Sequence, residues 1–183
     1  MINFHRCLIC GEVLMGEILT SHCPFCGAKA VHLVPANEWA DENIAMGELS
    51  AISRANLLHA LQLEANNAPF YRNVSAKTAD MELQGVFKIL AKIEAEHASV
   101  IMKILKCALP APEPGADKAE NDDLANLRRS HELEKEAVAI YSQASIDAVE
   151  PRVKKVFTAL SQVETDHRFV EERLIKARSA KPV

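Results

Sequence analysis

The chain has 183 residues, 49% hydrophobic, 25% charged and 5% aromatic, enough for one ordinary domain with a buried core plus a small module. A formal net charge of −4 gives no basic field, which argues against nucleic acid as a partner, and no apolar run reaches the roughly 18 residues of a membrane span. The opening stretch from Met1 to Cys7 lacks the apolar segment of a signal peptide, so the expectation is a soluble cytoplasmic protein with no membrane partner.

Residues 1–36 hold four of the five cysteines, as Cys7-x-x-Cys10-Gly11 and Cys23-Pro24-Phe25-Cys26-Gly27, and the β-branched Val31 and Val34. Two such knuckles close together read as a tetrahedral four-sulfur metal site rather than a disulfide scaffold. The spacing serves zinc and iron equally. A small knuckle-and-strand module is expected here, followed over 37–49 by a polar connector around Trp39, read as a short helix.

From about residue 50 the pattern turns helical. Leu57, Leu61, Glu64, Ala68 and Tyr71 step by four and three, as do Phe87, Leu90, Glu94, His97, Ile101 and Ile104. Each set is one helix face, apolar except for carboxylates and a histidine in its middle. Pro69 falls inside the first helix, five residues after Glu64, where a kink or bulge would adjust that carboxylate. The second helix is expected to start at Asp80 and to end at Cys107, read as a buried free thiol.

Pro110, Pro112 and Pro114 then rule out helix over about 108–121. About 13 extended residues at roughly 3.1 Å each span roughly 40 Å, the length of a helix of about 27 residues. The linker can therefore run the length of a bundle and leave its flanking helices parallel.

The last segment repeats the earlier one. Leu127, Glu134, Tyr141, Phe157, Leu160, Glu164 and His167 each lie 70 residues after an identical residue: Leu57, Glu64, Tyr71, Phe87, Leu90, Glu94 and His97. Glu150-Pro151 marks the second half's own helix break, with proline suited to a first turn. The chain reads as a cysteine module (1–36), a connector (37–49) and a duplicated helical hairpin (50–183).

Each half thus offers one Glu on its first helix and Glu-x-x-His on its second. Residues three apart share a helix face, so Glu94 with His97, and Glu164 with His167, can serve one centre. Four carboxylates and two imidazoles inside a bundle require compensation. A pair of divalent cations provides it, as in ferritin-like di-metal carboxylate bundles. Tyr71 and Tyr141, two turns beyond Glu64 and Glu134, are candidate hydrogen-bond donors to those ligands.

With these motifs the sequence resembles the rubrerythrins. Cys7-Leu-Ile-Cys10-Gly11, Gly16 and Cys23-Pro-Phe-Cys26-Gly27 look like a rubredoxin. Glu64…Tyr71, Glu94-x-x-His97, Glu134…Tyr141 and Glu164-x-x-His167 are similar to the rubrerythrin ferritin-like domain. The order, rubredoxin first, is that of the reverse rubrerythrins. The resemblance implies a mainly α fold: a ferritin-like four-helix bundle with a long crossover, preceded by a rubredoxin-like domain. It further implies a di-iron site that reduces hydrogen peroxide in a homodimer. An external electron donor would feed that site through one iron held by the four cysteines.

One position departs from that family. Rubrerythrins carry an extra ligand glutamate three residues after the one on the third helix, and that position here is Ala137. The six-ligand set also suits a ferroxidase oxidising Fe(II) with dioxygen or peroxide, and a zinc-holding, non-enzymatic module is the third reading. The repeat departs from itself as well: Leu61 becomes His131 and Ile101 becomes Glu171. His131 and Glu171 are expected to meet beside the metals as a hydrogen-bonded pair, a proton route or a displaced seventh ligand. The linker's length also permits hairpin exchange between two chains.

Overall fold

The computed structural model describes residues 3–16, 20–44 and 46–180. The remaining positions of the expected module (1, 2 and 17–19), connector (45) and C-terminus (181–183) lie outside the described residues. Three short strands, β1 (Asn3–Cys7), β2 (Val13–Gly16) and β3 (Leu33–Pro35), form an antiparallel sheet in the order β2-β1-β3. A short 3-10 turn, Ala30–His32, leads into β3. The sheet ends at the knuckles, because Cys7 closes β1 opposite Leu33.

The connector holds turns rather than the expected short helix. Trp39 explains this: its indole donates to the Cys7 carbonyl at 3.2 Å, and the Arg6 guanidinium lies 3.5 Å from its ring centroid. A segment tied side-on to β1 in this way follows the knuckle instead of forming its own hydrogen bonds.

Four helices follow: α1 (Ala51–Lys77), α2 (Met81–Leu105), α3 (Asp123–Asp147) and α4 (Pro151–Ser179). Their starts are written in the sequence as caps. Ser50 accepts from the Ser53 amide, Asp80 from Glu82 and Leu83, and Asp122 from Leu124, while Pro151 occupies the first turn of α4. α1 runs through Pro69 as one continuous helix. α2 stops where Lys106 turns left-handed, at φ 54°, and this throws Cys107 outward. The thiol is exposed, not buried as expected.

The crossover lies along α1. Gln62 donates to the Ala111 carbonyl, Asn66 accepts from the Glu113 amide, Asn73 donates to Asp117 and Lys77 to the Ala119 carbonyl. It delivers α3 to the end of the bundle where α1 finishes, as the Thr78–Asp123 hydrogen bond at 2.9 Å records. The helices flanking the linker, α2 and α3, are therefore parallel, and α1 and α3 are antiparallel. Two apolar layers result, one around Leu57, Ile101, Phe157 and Leu160, the other around Phe70, Val74, Phe87 and Leu127. Between them sits a polar layer, and the knuckle caps one side of it. No helix among the described residues is long and apolar enough to cross a membrane.

Candidate metal centres

Each knuckle is built the same way. The Gly11 amide donates to the Cys7 carbonyl at 2.9 Å and the Gly27 amide to the Cys23 carbonyl at 3.0 Å. Both glycines have positive φ, 83° and 73°, a turn that a side chain resists. Four sulfurs converge, none more than 3% exposed, with Sγ–Sγ distances of 3.7 Å for Cys7–Cys26 and 3.8 Å for Cys10–Cys23. A tetrahedron with metal–sulfur bonds of about 2.3 Å has edges of about 3.8 Å. The four thiols therefore fit one tetrahedral ion. Crowded together they cannot titrate alike: hydrogen bonds from Cys10, Cys23 and Cys26 pull Cys7 down, and the same contacts push Cys26 up.

The knuckle is fastened to the bundle through its carbonyls. Arg152 of α4, 7% exposed, donates to Leu8 at 2.6 Å and Ile9 at 2.7 Å, and Lys103 of α2 reaches Cys10 at 3.2 Å. A further link is His97, whose Nε2 lies 2.9 Å from the Cys26 carbonyl and donates to it. Gly27 adjoins Val163 of α4 so closely that a Cβ there would fall 2.7 Å from Val163 Cγ1.

Inside the bundle, the six predicted ligands come together as two overlapping groups. Glu64, Glu94, His97 and Glu164 bring ligand atoms within 4.8 Å of one another, as do Glu94, Glu134, Glu164 and His167. His97 Nδ1 faces Glu164 at 3.0 Å, Glu94 at 3.2 Å and Glu64 at 3.6 Å. His167 Nδ1 faces Glu164 at 2.9 Å, Glu94 at 3.4 Å and Glu134 at 3.5 Å. Glu94 and Glu164 belong to both groups, so they stand between the two positions, with Glu64 and Glu134 at the ends.

The donor set calls for cations. Glu64 Oε2, Glu94 Oε1, Glu134 Oε2, both oxygens of Glu164 and His167 Nδ1 are buried without hydrogen-bond partners among the described residues. Orphaned oxygens in such number are costly, and carboxylate-plus-imidazole coordination by two divalent ions satisfies them. Protons take that role in the metal-free cluster. Burial, with the charge of Glu94 beside Glu64 and of Glu164 beside Glu134, pushes those two carboxyls well above the ordinary range. Burial opposes charging of His97 and His167 too, yet the surrounding carboxylates lift both imidazoles far above their ordinary value. Metal entry therefore displaces protons.

The tyrosines cross between halves. Tyr71 of α1 donates to Glu134 Oε1 on α3 at 2.6 Å, and Tyr141 of α3 donates to Glu64 Oε1 on α1 at 2.5 Å. Each end carboxylate is thus held by its Oε1, while its Oε2 is buried without a hydrogen-bond partner among the described residues. The rings pack in matching fashion, Tyr71 on Phe87 at 6.0 Å and Tyr141 on Phe157 at 5.8 Å between centroids.

The expected His131–Glu171 hydrogen bond is replaced by another contact. Glu171 is fully buried, but Ser130 Oγ donates to its Oε1, and His131 Nδ1 stays 3.9 Å from Oε2. His131 sits one residue off the face that Ser130 shares with Glu134, so it lies at the edge while the smaller serine points inward. Burial pushes the Glu171 carboxyl up to about 8, against the Ser130 hydrogen bond. Ala137 is buried and offers no ligand. Ser130 was legible only through the repeat, as the residue 70 positions after Ala60. The His97–Cys26 contact uses a backbone carbonyl and has no side-chain signal.

A ferritin-like domain family profile matches residues 54–177, spanning all six candidate carboxylate and imidazole ligands and none of the four knuckle cysteines. No curated protein gives a significant match to the chain, nor does any solved structure.

Proposed function

Since the chain belongs to the ferritin-like domain family, we propose that it is a rubrerythrin-type oxidoreductase: a non-haem di-iron peroxide reductase with its own four-cysteine iron relay. The single observation that carries this reading is the 2.9 Å hydrogen bond from His97 to the Cys26 carbonyl. It joins a ligand of the bundle cluster to a cysteine of the knuckle with no residue between them. A structural zinc knuckle has no need of such a contact with a redox centre.

Iron bound at these positions supplies one-electron redox chemistry to cleave the O–O bond, giving two waters from one hydrogen peroxide, two electrons and two protons. The chain's part is arrangement. Glu64, Glu94 and His97 would hold one ion and Glu134, Glu164 and His167 the other, with Glu94 and Glu164 shared. Tyr71 and Tyr141 fix the end carboxylates. Cys7, Cys10, Cys23 and Cys26 would hold the relay iron, reduced by an external donor. Glu171, one turn after His167 and hydrogen-bonded to Ser130, one turn before Glu134, would supply a polar route for protons on that side. All six bundle ligands come from one chain, so the homodimer we envisage needs no exchange of hairpins.

A ferroxidase is the second reading, favoured by Ala137: the cluster has six ligands and no seventh carboxylate at that position. Metal analysis after anaerobic purification separates the readings. Three irons per chain support the peroxide reductase. Zinc in the four-cysteine site with two irons in the bundle supports the ferroxidase, and zinc with an empty bundle defeats both.

A further inference from the structure

We propose that the protein also reduces small alkyl hydroperoxides, whose hydrocarbon group lies in an apolar groove that opens over His167. The inference rests on the peroxide-reductase reading and extends its substrate class. The groove, about 500 Å³, runs between α2, α4 and the second cysteine knuckle. Ile89 and Ile93 form one wall, Val163 and Val170 the other, and Pro24 closes the knuckle side. His167 is in its lining, and it is the one ligand with appreciable exposure: 8%, against at most 1% for the other five. His97, its counterpart, is sealed beneath Cys26.

The size and lining of the groove exceed what hydrogen peroxide uses. That molecule needs room for about two waters, roughly 30 Å³ each, and gains nothing from hydrocarbon walls. Ile89 and Val170 are nevertheless 59% and 44% exposed, large apolar side chains held open to solvent where the groove passes over the outer edge of the His167 ring, whose Nδ1 is buried on the cluster side. A neutral molecule with an alkyl or aryl group fits these walls, and its polar end meets the His167 side of the cluster. At the rim, His22 of the knuckle and Asp166 of α4 stand 3.5 Å apart, an exposed polar pair beside the apolar walls. The reaction balances as the cleavage of hydrogen peroxide does. The O–O bond of the hydroperoxide breaks, two electrons arrive through the four-cysteine relay, two protons are taken up, and an alcohol and a water leave.

The test uses the full chain in two forms. In the zinc-loaded form, which cannot turn over, methyl NMR follows titration with 2-phenyl-2-propanol, the alcohol product of cumene hydroperoxide. Saturable shifts at Ile89, Ile93, Val163 and Val170, without shifts at the exposed Ile146, are expected, and Ile89→Ser/Val170→Ser abolishes those at the retained Ile93 and Val163. In the iron-loaded form the same double variant lowers the ratio of kcat/KM for cumene hydroperoxide to that for hydrogen peroxide about tenfold, the scale of a few lost apolar contacts. Absent shifts, shifts spread equally over exposed methyls, or an unchanged ratio would overturn the proposal. So would shifts produced by diluting the protein alone, since a second copy would then cover the groove. Failure of hydrogen peroxide itself to reoxidise the iron form would instead defeat the parent reading, and the alcohol titration would still report on the groove.

Discussion

The two halves of the bundle, 51–105 and 123–179, carry the same ligands in the same register and differ in what surrounds them. Glu64, Glu94 and His97 match Glu134, Glu164 and His167 at an offset of 70, and each tyrosine serves the other half's end carboxylate. Around this symmetric centre the first half is dry and docked: Ala60, Leu61 and Ile101 are buried and His97 is bonded to the knuckle. The second half is polar and open, with Ser130, His131 and Glu171 at the equivalent places and a groove over His167. The repeat gives both halves the same candidate ligands, and the residues around them set the two sides apart. On the proposed reading, electrons would enter on the His97 side, and protons and oxidant would approach on the His167 side.

The strongest way to break the comparison is to remove what both halves share. Glu164→Ala takes a carboxylate from both ligand groups and is expected to empty the bundle of both metals, while His97→Ala, confined to one group, costs one. Elemental analysis per chain reads the difference, with the metal of the four-cysteine site as internal standard. Tyr71→Phe and Tyr141→Phe test the symmetry more gently. Each frees one end carboxylate, and metal affinity is expected to fall about 10- to 100-fold, by equal amounts, in a competition titration with a chelator.

Gly27→Ala addresses the docked side alone. Its φ of 73° and the 2.7 Å approach to Val163 both penalise a side chain; the left-handed conformation alone costs about 1–2 kcal/mol. The knuckle should lift from α4, lowering Tm and slowing electron passage from the four-cysteine site to the bundle in stopped-flow measurements, with bundle metal content retained.

The smallest effect sharpens the polar side. Glu171 in the metal-free protein keeps its proton up to about pH 8, whereas in the unfolded chain it ionises near its ordinary value. Between those values the folded state binds the extra proton, so stability falls as pH rises. Thermal unfolding of the metal-free protein from pH 5 to 8 should show this decline, and Glu171→Ile, which copies the first half's Ile101, should make it shallower, with the raised carboxyls of Glu64 and Glu134 keeping the rest. The same substitution should slow peroxide turnover without changing metal content. Unchanged turnover would remove the proton route.

Much of this was legible because helices write their period into the chain. The Leu57–Tyr71 and Phe87–Ile104 stripes, the start at Asp80, the Glu150-Pro151 break and the 70-residue offset located the four helices and the six residues of the bundle cluster. Proline spacing located the crossover. What stayed hidden depended on tertiary contact. The connector's turns follow from Trp39 bonding to Cys7, 32 residues away. Cys107 faces solvent because a single residue, Lys106, adopts a left-handed conformation. Ser130 displaced His131 as the partner of Glu171, a choice between adjacent residues that periodicity resolves only when the helix's rotation against its neighbours is known. The His97–Cys26 bond, on which the functional reading turns, involves a main-chain oxygen common to every residue.

The most direct test of that reading is the visible spectrum of the anaerobically reduced, iron-loaded protein on addition of hydrogen peroxide. Return of the Fe(III)–thiolate absorption of the four-cysteine site, one peroxide consumed for every two electrons withdrawn, and loss of that return in His97→Ala, is the predicted result. Oxidation of the bundle irons with the four-cysteine site left reduced would contradict the account, because the two centres would then not be joined through His97 and Cys26.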